Sequence, residues 1–390
     1  MLRAAAPMRL PNEAAVIIAA ENSKAIAKAN DMAKAARPTR HEQPAAPSVS
    51  VRPGAATLRE VAELACVSKA TVSRFINSPE VVSPSVRERI QIAIDHLGWV
   101  PHAAARALAT QRTGTIGAVV PTLANEHFAT AIQVLQDELE EKGYTLLLGC
   151  SEYDLQREYR QVRKMLERGV DAIAVVGEGH HPDLYALLDQ RNVPCVSTFT
   201  FAAKQRSICV GVDNYRAFYD ATNYLLGLGH RRIAMIAQNA DTNDRAAARR
   251  EGVRVALAEH GIAIHPAHMA EGFWGVQEGR RLFSRIMAAP IEPPTAIVCG
   301  NGSFATGAML EAMAAGYDVP GHLSLIGFDD FEVMAELPIP ITTVRVPSAE
   351  IGRRTAELLI AQLNGESDTH SVECEATLIV RESCAQPRAD

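Results

Sequence analysis

From Thr115 onward, short apolar runs alternate with longer stretches in which apolar residues recur every three or four positions. The runs are TIGAVVP, YTLLLGC, AIAVVG, VPCVSTF, RRIAMIA, TAIVCG and LSLIGF. Each has strand length and lacks polar alternation, so each predicts a strand buried on both faces of a parallel sheet. Between them, FATAIQVLQDELEEKG and NYRAFYDATNYLLGLGH carry the helical period. Such alternation predicts α/β layers with helices on both faces. The region is too long for one such sheet, so two similar lobes are expected.

The preceding segment has another rhythm. Thr57 to Gly98 predicts three short helices. Thr57 caps the first, with Glu60 placed for a capping box. Ser68 caps the second, which runs to about Asn77. Ser83 and Pro84 open the third, and Gly98 closes it. Leu58, Val61, Ala62, Ala65, Val72, Ile76, Val86, Ile90, Ile94 and Leu97 recur at helical spacing and predict one small core. Residues 1–55 are rich in Ala and Pro, and HEQPAAPSVSVRPG reads as a flexible linker. Eight Lys and Arg against four acids leave both a disordered tail and a basic DNA-holding arm open there.

Composition narrows the classes. A chain of 390 residues, 47% hydrophobic, has room for two or three domains with large cores. Its net charge of −6 confines any nucleic-acid contact to a local patch. The seven cysteines stand singly, with no C-x-x-C pair, which fits reduced thiols in a cytosol. No apolar run reaches membrane-span length, and AAVIIAA, flanked by Glu13 and Glu21, is too short for a signal peptide. A cytoplasmic protein with no membrane partner is expected.

A helix of about eight residues, a tight turn at Cys66–Val67–Ser68 and a second short helix fit a helix-turn-helix. The second helix presents Ser68, Lys69, Ala70, Thr71, Ser73, Arg74 and Asn77 outward, with Val72 and Ile76 turned to the first helix. Hydroxyls and amide N–H groups at a helix start hold phosphates, and long donors reach base edges. A plain three-helix bundle with a polar face is the alternative.

TLREVAELACVSKATVSRFIN, followed by VVSPSVRERIQIAIDHLGWVPHAAARALATQRTGTIG, closely resembles the start of LacI/GalR (lactose-repressor-type) transcription regulators. The resemblance runs on through VDN (Val212 to Asn214), IGFDD (Ile326 to Asp330) and LIVRES (Leu378 to Ser383), leaving only the first 55 or so residues outside it. It implies that Lys69, Ala70 and Arg74 read bases, Arg74 being suited to a bidentate guanine contact and Ala70 to a methyl contact. Ser68, Thr71, Ser73 and Asn77 take backbone or groove-edge positions, and Thr57 caps its helix toward a phosphate. PHAAARALATQR resembles the family's hinge helix, with His102 and Arg106 at patterned positions and Leu108 as the minor-groove wedge. Three departures stand out. Cys66 replaces the usual turn Gly, Trp99 the usual Tyr, and His102 the usual Asn.

The two-lobed region resembles periplasmic sugar-binding proteins. Ligands in such folds sit at the carboxyl ends of strands, between lobes. The chain alone points to Asn125, His127 and Phe128 after TIGAVVP, and to Asp241 through Arg249 after RRIAMIA. The resemblance implies that Arg249 grips an effector, Asp329 accepts from it and Trp274 packs on a sugar face. Asn301 is retained, but Gly302 stands where the family usually has Asp. Arg245, one turn before Arg249, has two readings: a second cleft arginine favouring an anionic ligand, or a solvated surface residue. His180 and His181 in GEGHHPD lack a ligand partner at metal spacing and read as a loop.

The expected organisation is therefore a flexible extension (1–55), a small all-α helix-turn-helix domain (56–100), a hinge helix (101–112) and a two-lobed α/β core (113–385). The N-lobe would take about 113–211 plus 343–372, and the C-lobe about 212–342 plus the C-terminal strand. The leading function is a transcriptional regulator, most often a repressor in the family. It would bind a near-palindromic double-stranded operator as a homodimer under control of a sugar, sugar acid or sugar phosphate, without metal or cofactor. A transport or chemosensory binding protein is the second class. An enzyme is third, since no Ser/His/Asp set, catalytic carboxylate pair or P-loop is present.

Overall fold

The structure is a computed structural model that describes residues 56–100, 112–202 and 206–388. The chain divides into two units, residues 1–100 and 101–390.

In the first unit, helices span Leu58–Leu64, Lys69–Asn77 and Pro84–Leu97. Their ends follow from local chemistry. Glu60 N donates to the Thr57 hydroxyl at 3.3 Å, and Thr57 N donates back to the Glu60 carboxylate at 2.6 Å, completing a capping box. Thr71 N donates to the Ser68 hydroxyl at 3.1 Å. Gly98, at φ 56°, closes the third helix. Val61, Ala62, Ala65, Val72, Ile90 and Ala93 form the buried centre, with Leu58, Ile76, Val86, Ile94 and Leu97 packed against it. Ala93, Phe75 and Trp99 join this core without having been expected in it. The turn keeps a left-handed residue at Cys66, φ 51°, so cysteine there carries a cost of about 1 kcal/mol.

The second unit holds twelve strands among the described residues: β1 Thr115–Val120, β2 Thr145–Cys150, β3 Ala172–Val176, β4 Cys195–Thr198, β5 Ile208–Gly211, β6 Ile233–Gln238, β7 Met269–Gly272, β8 Ala296–Cys299, β9 Ser324–Asp329, β10 Thr342–Arg345, β11 Val372–Glu373 and β12 Thr377–Ile379. They form two six-stranded sheets, ordered β11-β5-β4-β3-β1-β2 and β12-β10-β9-β8-β6-β7. All pairings are parallel except β10 with β12. The central strands are buried along their whole length, which is why they read as unbroken apolar runs.

The chain passes between the sheets three times: after β5, after β10 and after β11. Strand β10 belongs to the second sheet, so the return crossing falls after Arg345 and not at about residue 343. The short strands β5, β7 and β10 were not anticipated. Four residues such as MAEG or TTVR carry too little periodicity to be told from a loop.

Candidate functional site

Helix N-termini point three asparagines at the space between the two sheets. Asn125 caps helix Glu126–Glu141, Asn243 caps helix Asp244–Glu259, and Asn301 caps helix Gly302–Ala314. Each Oδ1 accepts a backbone N–H: His127 N at 3.0 Å, Ala246 N at 3.2 Å and Phe304 N at 2.8 Å. All three follow the carboxyl end of a strand, the position at which open α/β sheets receive ligands. Between them lies a cavity lined by residues that follow strands of both sheets.

All eight cleft residues named from the sequence line this one cavity: Asn125, His127, Phe128, Arg245, Arg249, Trp274, Asn301 and Asp329. Arg245 and Arg249 are each only 6% exposed, so the solvated reading of Arg245 is excluded. Arg249 donates to the Asn214 amide oxygen at 2.7 Å, and its guanidinium lies 5.0 Å from the Phe328 ring centre. Burial pulls its pKa down to about 10, against the opposing pull of Asp329, so it stays charged at neutral pH. Arg245 has the Asp244 carboxylate 3.6 Å away as its ion-pair partner.

His127 is strongly perturbed. Burial lowers its pKa to about 4; the Asp329 charge opposes this, and Arg249 and Arg245 reinforce it. Its imidazole is therefore neutral at pH 7, bonded through Nδ1 to the Ser348 hydroxyl at 2.6 Å and packed 4.3 Å from the Phe199 ring. Of the paired acids in IGFDD, Asp329 faces the cavity and accepts Gly302 N at 3.1 Å. Asp330 is taken by Arg345 and Arg381, each at 2.7 Å. A side chain at position 302 would come within 2.7 Å of the Phe331 ring, so glycine here is a packing requirement as well as a lost carboxylate.

Tyr153, Phe199, Asn214, Gln238 and Phe328 also line the cavity and were not singled out from the sequence, while Asn243 falls within the expected Asp241–Arg249 stretch. Most sit just past a strand's carboxyl end, a signal that was there to use. Three lining residues, Tyr153, Phe199 and Asp329, hold left-handed backbone at φ 61°, 59° and 80°. Such strain in non-glycine residues concentrates where side-chain placement is over-determined by function.

The GEGHH loop proves more than a bare surface turn. His180 is buried and bonds Glu158 at 2.7 Å, while His181 stacks on Tyr159. Glu178 N, from the first lobe, donates to the Asp244 carboxylate of the second at 2.9 Å. Gly177, at φ 82°, passes so close to Arg245 and Asp244 that a Cβ would overlap both. No group of three or more His, Cys, Asp or Glu among the described residues is placed to hold a metal.

On the helix-turn-helix, Ser68, Lys69, Ala70, Arg74 and Asn77 are exposed, as is Thr57, while Thr71 and Ser73 are half-buried. The Thr57 hydroxyl is occupied by its capping box. Ser68 and Thr71 bond each other at 2.9 Å. His102, Arg106 and Leu108, the expected hinge helix and the N-terminal extension lie outside the described residues. Among the described residues, no helix is long and apolar enough to cross a membrane.

A helix-turn-helix unit joined in one chain to a two-sheet core with a polar cavity defines a ligand-responsive DNA-binding regulator. Residues 57–102 match the model for bacterial regulatory proteins of the lacI family, and residues 222–384 match a periplasmic binding protein-like domain. The HTH-type transcriptional repressor CytR of Escherichia coli (strain K12) is 32% identical over 333 residues, 84% of this chain and 96% of that protein. The repressor PurR of Erwinia tasmaniensis is 31% identical over 85% of this chain and 97% of its own length. A solved LacI-family regulator from Silicibacter pomeroyi superposes with a TM-score of 0.76 at 26% identity, covering 85% of this chain and all of that one. The chain belongs to the LacI family of transcriptional regulators.

Proposed function

We propose that this protein is a cytoplasmic repressor whose affinity for a near-palindromic operator, bound as a homodimer, is set by a small polar metabolite held between the two lobes. The observation that carries this is the cavity itself. Segments from both sheets bring two buried arginines, a carboxylate and several aromatic rings to one partly enclosed polar cavity. A sugar, sugar acid or sugar phosphate suits that mixture of ring faces and polar groups. The exposed first turn of helix Lys69–Asn77 supplies the DNA side. Arg74 reads guanine, Lys69 and Ala70 read neighbouring edges, and Ser68, Thr71, Ser73 and Asn77 hold the backbone or groove edge. Leu108, with His102 and Arg106 nearby, acts at the operator centre.

The reading is tested by selecting binding sites from random duplex DNA with the purified full-length chain, then titrating the selected site by fluorescence anisotropy. A two-fold symmetric site whose affinity changes when a cleft ligand is added is expected. Recovery of no consensus would sink the repressor reading and return the chain to the transport or chemosensory class.

A further inference from the structure

The three capping asparagines constrain what the cavity can hold. An asparagine amide cannot be reversed when its oxygen caps a helix, because the backbone group it meets is a donor. The oxygens of Asn125, Asn243 and Asn301 are committed in this way, so each offers the cavity its NH2. The amide oxygen of Asn214, a fourth lining residue, is committed to Arg249. Two buried polar atoms at this site have no partner, the Asn301 Nδ2 and the Arg249 Nε, and both are donors. Acceptors are scarce. The Asp329 carboxylate already holds Gly302 N, and Gln238 shares a bond with the Tyr153 hydroxyl.

Charge points the same way. The titratable side chains that line the cavity include two arginines, one aspartate and a histidine kept neutral by burial. Asp244, which does not line the cavity, formally balances this excess from behind Arg245 at 3.6 Å, so it is the face turned to the cavity that is cationic. Three helix N-termini, each with a partial positive charge, converge on the same space.

A neutral sugar brings an O–H donor with every hydroxyl, and most of those donors would find no acceptor here. An ionised carboxylate or phosphate brings acceptors only. We infer that the effector is an anion, a small polar metabolite bearing a carboxylate or a phosphate, whose oxygens are received by Asn301, Arg249 and Arg245. This rests on the cavity being the effector site.

The test uses the full-length protein in titration calorimetry with matched sets: glucose, glucuronate, gluconate and glucose 6-phosphate, and the galactose counterparts. In parallel, a small-molecule extract of bacterial cells is split by anion exchange, and each fraction is tested for a rise in melting temperature. At least one acid or phosphate ester should bind ten-fold or more tightly than its neutral parent. The stabilising activity should be in the retained fraction, and loss on phosphatase treatment would assign it to a phosphate ester, survival to a carboxylate. Asn301→Asp keeps the capping oxygen and replaces only the donor, so it should weaken that binding at least ten-fold without lowering the ligand-less melting temperature. Tighter binding of the neutral parent, activity in the unretained fraction, or indifference to Asn301→Asp would each overturn the anion assignment while leaving the cleft as effector site. Stabilisation by neither fraction would overturn both.

Discussion

The recognition helix and the cleft are built from the same device and use it in opposite ways. Both place a capped helix start at the point of contact. On the helix-turn-helix a single N-terminus, capped by Ser68, is left in solvent with its first-turn side chains exposed. In the core three N-termini, capped by buried asparagines, surround one cavity together with charged side chains. An exposed helix start serves a large, highly charged partner that brings its own desolvation and is read by side chains reaching outward. A buried one serves a small partner that must replace water on every side, so unmet groups inside it specify the ligand.

That difference ranks the consequences of substitution. Removing Arg249 takes a charged donor from a buried network and strands the Asn214 oxygen and the Asp329 charge. Arg249→Ala should cost ligand binding about 3 kcal/mol or more, roughly a hundred-fold. Operator binding without ligand should survive. The ligand-dependent rise in melting temperature reads this directly, and an undiminished rise would remove Arg249 from the site.

His127 gives the next largest effect, through pH. Its value is about 4 in the folded protein against 6.5 ordinarily. Below pH 6.5 the unfolded chain takes up a proton that the native state refuses, so stability falls as pH drops from 6.5 toward 4. The ceiling on this loss is about 3 kcal/mol. Urea midpoints at pH 7 and pH 5 should diverge in the natural protein and lie clearly closer together in His127→Gln, where His230 and His268, also lowered by burial, still contribute. Equal slopes in both proteins would assign the acid sensitivity elsewhere.

On the exposed side of the comparison, Arg74→Ala should cost about 1–3 kcal/mol on the selected operator and relax base preference at one position in each half-site. A loss of equal size on unrelated DNA would make Arg74 a phosphate contact.

The two regions were also unequally legible. The helix-turn-helix could be read almost residue by residue, because the capping box at Thr57, the Ser68 cap, Pro84 and Gly98 act within a few positions of the chain. The long strands were nearly as plain, being buried on both faces except for β2, an edge strand that is only half-buried although its apolar run predicted full burial. In the cleft, Arg249 and Asp329 came through resemblance, and Asn125 through its place after a strand. What escaped was pairwise and distant: the Asn214–Arg249 bond spans 35 positions and the His127–Ser348 bond 221. Phe199 and Tyr153 enter the cavity through left-handed backbone that no propensity announces. His180 read as a loop residue because its partner, Glu158, lies a helix away.

Cys66 gives the smallest effect and the sharpest local check on the exposed region. Its backbone is left-handed at φ 51° and its side chain is exposed, so no burial compensates for the unfavourable conformation. Glycine adopts that conformation without the Cβ penalty, but it also adds entropy to the unfolded chain. The two terms oppose each other, and the first is the larger at a left-handed position. Cys66→Gly should therefore stabilise the helix-turn-helix by about 0.5–1 kcal/mol. Hydrogen exchange of the amides in helices Leu58–Leu64 and Lys69–Asn77 would slow several-fold, while exchange in the β-sheet core stays as it was. Unchanged or faster exchange in these helices would mean that the turn tolerates cysteine without strain, and that the departure from glycine carries no cost to the DNA-reading unit.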